Sequence, residues 1–415
     1  MAAVQKRVLF LSNGHGEDEM GAVLAQHLLR RCPEVAVEAF PLVGRGLPYE
    51  KAGIPILGPR RELPSGGFIL NSFYNLWLDL RAGLLCLVRQ QVRQLRRLAP
   101  GYDLVVGLGD VLLVWYNGRY LKRPFFFLPT AKSSYIAPHS DLEVDLMRRH
   151  AEKVFARDQH TADDLAARGV RATYVGNLMM DCLQFTGENF GLEPVETRAS
   201  LWGSGYLTPE RPYVIALLPG SRQEAYENAC LLAEAARKFD DLVSGQARFL
   251  LPLASGLSPA RLARAVEARG WLARAPAPEE EQHGIAVWLS YRDLTRIAVV
   301  RGPFGDVLRQ ADAVLGLAGT GNEQAAGLGK PVVACVTSGR QYNQRFAKRQ
   351  KKLLGEALLL VPQPDPRRMA AELWKVLQSP VVYRQMAEAG RARMGPPGGA
   401  ARVAEEICAK LEVGG

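Results

Sequence analysis

Two short apolar runs, Val8 to Leu11 near the start of the chain and Val214 to Leu218 near its middle, each break into a glycine-containing turn and then a helix-like segment. A buried strand, a tight turn and a helix, in that order, open a doubly wound α/β unit. Finding the order twice constrains the fold more than any other feature of the sequence. After the first run, strand-like stretches follow at Val35 to Phe40, Leu104 to Gly107, Phe125 to Leu128, Lys153 to Ala156 and Ala172 to Val175. After the second they follow at Arg248 to Pro252, Ile285 to Trp288, Ile297 to Val300, Ala313 to Leu317 and Val332 to Val336. Continuous apolar strands separated by helical or looped stretches predict parallel sheets covered on both faces. At 415 residues and 48% hydrophobic composition, the chain also exceeds the roughly 250–300 residues at which a single core stops growing. We therefore expect two α/β domains, residues 1–200 and 201–394, the second series beginning after the stretch Gly203 to Pro212.

Charge and cysteines narrow the class. The 52 Lys and Arg against 42 Asp and Glu leave a net +10, a field that attracts anions without choosing among them. The cations cluster at Arg81 to Arg97, Lys122-Arg123, Arg148-Arg149 and Arg345 to Lys352. The first cluster adjoins the apolar stretch Gly66 to Leu98, in which Asn71, Asn75, Asp79 and Arg81 rule out a bilayer span. Either it lies on an anionic membrane surface or it is a core-packed helix with a solvated basic face. Aromatic residues are not interleaved with the basic runs as strand stacking requires, so no nucleic acid partner is expected. Six cysteines lie far apart with no Cys-x-x-Cys pair and read as small apolar residues in a reducing, cytoplasmic setting. The N-terminus passes from Lys6-Arg7 into a short first strand and not into a signal sequence. No signal sets an oligomeric state.

In doubly wound sheets ligands bind beyond the carboxyl ends of the strands, so site residues are expected after Leu11, Gly107, Leu218 and Leu317. The first of these loops reads Ser12-Asn13-Gly14-His15-Gly16-Glu17-Asp18-Glu19-Met20-Gly21. Its third glycine falls too late for a dinucleotide fingerprint, and three carboxylates occupy the helical turn where a pyrophosphate needs bare amides. No nicotinamide or flavin cofactor is expected. Asn13, Gly14 and Gly16 should instead let an acceptor approach the backbone. Acids at a helix N-terminus complement the macrodipole, which accounts for Asp18 and Glu19 as well as a functional role would. His15 has a side chain suited to proton transfer near neutrality, and with Glu17 and Asp110 it forms the set of candidate catalytic residues. Asp110 ends the run Leu104 to Gly109 and reads equally as a general base or as a helix cap.

In the second half, Pro219-Gly220-Ser221-Arg222 joins a strand to a helix start, an anion cradle to which Arg222 adds a bidentate donor. Ala318-Gly319-Thr320-Gly321-Asn322-Glu323 makes a second such turn, whose amides from Gly319 to Asn322 can hold a diphosphate while Glu323 accepts ribose hydroxyls. No nucleoside-triphosphatase loop, zinc-protease helix or hydrolase elbow is present. The six histidines are scattered and Asp163-Asp164 sits on a solvated helix-like stretch, so no metal is expected.

Through Gly16-Glu17 with Gly21-Ala22, Asp110, Gly176-Asn177, Leu218 to Arg222, Gly319-Thr320 with Glu323, and Tyr342-Asn343-Gln344, nearly the whole chain resembles the lipid-A-disaccharide synthase-related proteins among GT-B glycosyltransferases. The resemblance implies two Rossmann-like domains facing a central cleft, with a last helix, about residues 395–415, crossing back to the first domain. It further implies an inverting, metal-free transfer of a sugar, of the N-acetylglucosamine type, from UDP to a lipid or glycolipid acceptor at the cytoplasmic membrane face. Asp110 would be essential, and Gly220, Ser221, Arg222, Gly319 to Glu323, Asn343 and Gln344 would serve the UDP-sugar, a substrate and not a cofactor. In such a displacement a base, Asp110 or His15, deprotonates the acceptor while the turn amides and Arg222 stabilise the leaving diphosphate. Non-hydrolysing UDP-GlcNAc 2-epimerases share the frame and the donor loops and are the alternative. A non-catalytic basic membrane-binding protein would explain the charge and leave the glycine turns without a purpose.

Overall fold

The computed structural model describes residues 5–61, 73–130, 132–191, 212–292, 294–339 and 342–412. Nearly all of the 203–212 stretch, and the beginning of the 66–98 stretch, lie outside the described residues. The chain forms two compact units, Met1–Cys182 together with Pro396–Gly415, and Leu183–Gly395. It passes from one to the other at Cys182–Leu183, ahead of the boundary at 200 and 201 read from sequence.

In the first unit, β1 (Arg7–Ser12), β2 (Ala36–Pro41), β3 (Leu104–Gly109), β4 (Phe125–Pro129), β5 (Lys153–Phe155) and β6 (Ala172–Thr173) form one sheet in the order β2-β1-β3-β4-β5-β6. Every pairing is parallel. Val8, Leu9, Phe10 and Leu11 are fully buried, and β3 and β4 carry no exposed residue, as apolar runs without alternation require in a sheet covered on both faces. Strand order reverses between β1 and β3, which makes the space beyond their carboxyl ends the expected ligand position. Between β2 and β3 the chain forms the helices Phe73–Arg81 and Leu84–Leu98, parted at Gly83. Among the described residues no helix is long and apolar enough to cross a membrane.

The last helix, Gly399–Leu411, packs along the helix His15–Arg31 of the same unit. Its start depends on a glycine contact, since a Cβ on Gly399 would lie 2.8 Å from the carbonyl of Gly176. Asp181 accepts hydrogen bonds from the amides of Gly398 and Ala400 there. Farther along, Arg31 pairs with Glu405 at 3.4 Å, Lys153 with Glu406 at 2.7 Å and Lys410 with Glu152 at 2.7 Å. Cys32 and Cys408 form a disulfide across 376 positions of sequence. The expectation of six unpaired cysteines is thereby corrected for these two, because only the fold brings them together. Disulfides persist in oxidising compartments, so the cysteines no longer argue for a reducing one. Cys86, Cys182, Cys230 and Cys335 are free.

The second unit holds β7 (Tyr213–Leu218), β8 (Ala247–Pro252), β9 (Leu272–Arg274), β10 (Ile285–Tyr291), β11 (Thr295–Val300), β12 (Ala313–Gly316), β13 (Val332–Cys335) and β14 (Leu358–Val361). Their order is β14-β13-β12-β7-β8-β11-β10-β9. The sheet is parallel from β14 to β11, whereas β10 runs antiparallel to both β11 and β9. The connection from β10 to β11 spans only residues 292–294, far short of the dozen or more that a parallel crossover needs. Strands β9 and β14 are edge strands that the apolar-run pattern does not predict. Here the order reverses between β7 and β12, the second switch point.

Closing a loop of this length by a disulfide contributes about 2–5 kcal/mol, chiefly by restricting the unfolded chain. Cys32→Ser is expected to melt several degrees below wild type without reductant, and level with wild type when a strong reductant is present. Equal melting temperatures in both conditions would mean that the bridge does not form in solution.

Candidate functional site

At the switch point of the second unit, the amide of Leu317 donates to the carbonyl of Leu218 at 2.8 Å, so the turns after β7 and β12 leave the sheet side by side. Gly220 takes φ +100°, a conformation few other residues adopt, and a Cβ there would face the Leu317 carbonyl at 3.5 Å. Ser221 and Arg222 follow, both exposed, and Asn228 Nδ2 donates to the Pro219 carbonyl at 2.9 Å to hold the turn against the helix Ala225–Leu242. The second turn opens the helix Thr320–Gly327, capped at Gly319 without a side-chain hydrogen bond. The amides of Thr320 and Gly321 head this helix, where no preceding turn supplies acceptors. Glu323 lies half-buried in its first turn.

Asn322 does not belong to the exposed part of this turn. It is fully buried, with Nδ2 donating to the Gly316 carbonyl at 3.2 Å and to Gln350 Oε1 at 3.0 Å. Its own amide already donates to the Gly319 carbonyl at 3.2 Å. Gln350 in turn donates to the carbonyls of Ala318 and Gly319 at 3.2 and 2.9 Å, and accepts from Tyr342 Oη at 2.8 Å. The expected ligand contact by Asn322 is corrected to a brace: with Tyr342 and Gln350 it fixes the turn from inside. Asn343 caps the helix Gln344–Leu354, its Oδ1 accepting from the Phe346 amide at 3.0 Å, and Gln344 is exposed in the first turn. Two residues here carry no signal in the sequence. Gln350 sits in a basic helix where it reads as solvated, and Phe346, 37% exposed, places its ring 3.3 Å from where a Gly319 Cβ would lie.

In the first unit the loops after β1, β3 and β4 meet. Gly109 has φ +146°, and a Cβ there would fall 1.7 Å from Asn13 Oδ1, which accepts from the Asp110 amide at 3.3 Å. Asn13 thus ties the first loop to the third strand. The exposed carboxylate of Asp110 accepts from the Leu112 amide at 2.9 Å, the first amide of the helix Leu112–Tyr116, whose N-cap is Val111, and so stands at the rim. Thr130 Oγ1, beyond β4, donates to Glu17 Oε1 at 2.9 Å, and Arg157 donates to the Thr130 carbonyl at 3.1 Å. Glu17 Oε2 covers Gly14, where a Cβ would lie 2.2 Å away. His15 is exposed, its ring against Gly44, and around Gly16 a Cβ would meet nothing. Asn13, Gly14, Glu17 and Asp110 are therefore brought to one rim, with Thr130 and Arg157 joining from sequence positions that no motif marks. Among the described residues no group of three His, Cys, Asp or Glu side chains is placed to hold a metal ion.

Beneath this rim Asp18 is fully buried. Ser12 Oγ donates to its Oδ1 at 2.5 Å, and Oδ2 has no partner among the described residues. Burial, with the neighbouring Glu17 charge, outweighs the Ser12 hydrogen bond and pushes the carboxyl up to about 7. An acid that only complements a helix dipole stays solvated, so Asp18 departs from that expectation.

Two Rossmann-like, mainly parallel sheets, each with glycine turns at its switch point, define the GT-B type of fold. The calicheamicin glycosyltransferase CalG4 superposes with a TM-score of 0.62 at 18% identity over 99% of each chain. The UDP-GlcNAc 2-epimerase of Neisseria meningitidis, solved with UDP-GlcNAc, gives 0.54 at 14% identity over 98% of this chain and 99% of that one. The UDP-GlcNAc 2-epimerase of Methanocaldococcus jannaschii gives 0.53 at 12% identity over 97% and 99%. No protein-family model matches the sequence, and no curated protein matches it.

Two substitutions check this geometry. Gly316→Ala would place its Cβ 2.0 Å from Asn322 Oδ1, and such overpacking costs about 1–3 kcal/mol. Its melting temperature should fall by several degrees, and wild-type stability would mean that Asn322 is not fixed there. For Asp18, the folded chain holds the proton more tightly than the unfolded chain, so this stabilisation is complete below the ordinary value of 3.8 and is lost as pH rises to about 7. Asp18→Asn keeps an acceptor for Ser12 and removes that loss, so its melting temperature relative to wild type should rise between about pH 4 and about pH 8. Parallel pH curves for the two proteins would show that Asp18 ionises as freely as in the unfolded chain.

Proposed function

We propose that the chain is an enzyme acting on a UDP-sugar, with the diphosphate held by the second unit. The observation that carries this reading is the pair of adjacent glycine turns after β7 and β12, one bearing Arg222 and the other Glu323. Helix-heading amides attract a diphosphate, a guanidinium adds paired donors, and a carboxylate one turn into the helix suits ribose hydroxyls. Gly220, Ser221, Gly319, Thr320 and Gly321 supply the backbone of this cradle.

Two chemistries fit such a site. Two of the three solved structures described above are UDP-GlcNAc 2-epimerases, and they favour epimerisation of a UDP-N-acetylglucosamine-type substrate. Transfer of the sugar to a lipid-linked acceptor, as in the lipid-A-disaccharide synthases, is supported by the sequence elements at Pro219 to Arg222, Gly319 to Glu323 and Tyr342 to Gln344. It is also supported by Asp110, which keeps an exposed carboxylate at the end of β3 as a base for an acceptor hydroxyl. Glu17 shares that rim with exposed His15 close by, and Gly16, around which a Cβ would meet nothing, offers the open backbone an acceptor needs.

A ligand that binds only the folded chain stabilises it by about 2.7 kcal/mol at about a hundredfold excess over Kd. UDP-GlcNAc is therefore expected to raise the melting temperature by several degrees, and Arg222→Ala to weaken that effect by about tenfold to a hundredfold in affinity. No shift with any UDP-sugar would overturn the proposal. With UDP-GlcNAc alone, UDP-ManNAc in the product mixture marks the epimerase. UDP released only when a glycolipid acceptor is added, and lost in Asp110→Asn, marks the transferase.

A further inference from the structure

Several cations of the first unit are paired with carboxylates of the chain itself, as in Arg7 with Glu38, Arg149 with Asp145 and Lys153 with Glu406. The helix Leu84–Leu98 is different. Its inner face, Leu87, Gln91 and Leu95, is buried at four-residue spacing, and Gln91 Nε2 donates to the carbonyls of Leu42 and Pro59 at 3.1 and 3.3 Å. Those bonds fix the rotation of the helix, so Arg89, Arg93, Arg96 and Arg97 are all exposed on the other side. None of the four has a carboxylate partner among the described residues.

This arginine row lines one wall of a groove of about 430 Å³, with Val88 and Val92 at its floor and Tyr120 opposite. The Arg96 guanidinium lies over the Tyr120 ring at 4.8 Å. Beyond Tyr120, Trp115 meets its ring edge-on at 5.4 Å and is itself 41% exposed, and one turn before Val88 on the helix Leu85 is 59% exposed. Bare guanidinium groups bordered by an exposed Trp and an exposed Leu combine attraction for phosphate with apolar tips that water does not favour. A membrane interface satisfies both demands at once, because headgroup phosphates meet the cations while amphipathic and apolar side chains enter the boundary with the acyl chains. Nucleic acid offers phosphates and gives Leu85 nothing to enter.

We propose that the outer face of the helix Leu84–Leu98, together with Tyr120 and Trp115, docks on an anionic phospholipid bilayer, with a headgroup phosphate seated between Arg93, Arg96 and the groove floor. It deepens the reading of a lipid-linked acceptor, on which it rests for its purpose, by naming the surface at which that acceptor would be met. Binding to vesicles is measured without nucleotide, and the UDP-sugar shift without lipid, so either can fail alone.

The test is co-sedimentation of the full chain with phosphatidylglycerol vesicles and with phosphatidylcholine vesicles. We expect binding to the first that weakens with added salt and little to the second. At about 1 kcal/mol for each cation near a charged surface, the triple variant Arg89→Glu, Arg93→Glu, Arg96→Glu should bind phosphatidylglycerol about a hundredfold more weakly. Its stabilisation by UDP-GlcNAc should match that of wild type, which also reports that it folds. Arg93→Gln with Arg96→Gln serves in its place if the triple variant does not fold, with a loss of about tenfold or more expected. Trp115→Ala should lower binding several-fold, including at high salt. Equal binding to both vesicle types, wild-type binding by the charge variants, or tighter binding to duplex DNA than to phosphatidylglycerol would each overturn the proposal.

Discussion

In each unit one pair of parallel neighbours, β1 with β3 and β7 with β12, decides where chemistry can take place. Side-by-side parallel strands leave the sheet at the same end, so whatever follows them is delivered to one place. In the second unit this is set by the bond from Leu317 to Leu218 at 2.8 Å, which lays one glycine turn beside the other. In the first unit it is set by the register of Ser12 against Leu108, which brings Asn13 to Asp110. The turns could not form one cradle, nor the acids one rim, on strands that were not neighbours.

Close approach then decides which residues the turns can contain. Gly109 and Gly316 are enclosed by asparagine side chains, Asn13 and Asn322, that leave no room for a Cβ. In each case the side-chain amide takes the space of that missing Cβ and bonds nearby backbone, Asn13 Oδ1 accepting from the Asp110 amide and Asn322 Nδ2 donating to the Gly316 carbonyl. The second unit spends three polar side chains, Asn322, Tyr342 and Gln350, on holding a turn of a few residues. Such internal bracing keeps the outward amides oriented before any ligand arrives, which is how a backbone site gains affinity without a large contact area.

Electrostatics divide the first unit. Around the last helix the charges are matched, with Arg31, Lys153 and Lys410 each facing a glutamate or receiving one, and the disulfide fastens the same contact. On the helix Leu84–Leu98 the exposed arginines have no carboxylate partner among the described residues. Pairs of exposed charges add little stability, so the difference matters more for what the surface attracts than for how firmly the unit holds together.

From the sequence alone came the two α/β units, the runs that become β1, β3, β4, β7, β8 and β12, and the turns at Pro219 to Arg222 and Gly319 to Glu323. These are local signals: an apolar run, a glycine and a helix start need only adjacent residues to be legible. The tertiary structure decided what depends on residues far apart. It turned Asn322 from an outward donor into a buried brace, put the carboxyl of Asp18 out of reach of water, and joined Cys32 to Cys408 across 376 positions. It also folded β10 back on β11, because three intervening residues allow no crossover. Spacing along a chain records which side chains share a strand or a helix face. Whether a given asparagine, aspartate or cysteine meets water or another side chain depends on strands and helices packed against it from elsewhere, and no local pattern carries that information.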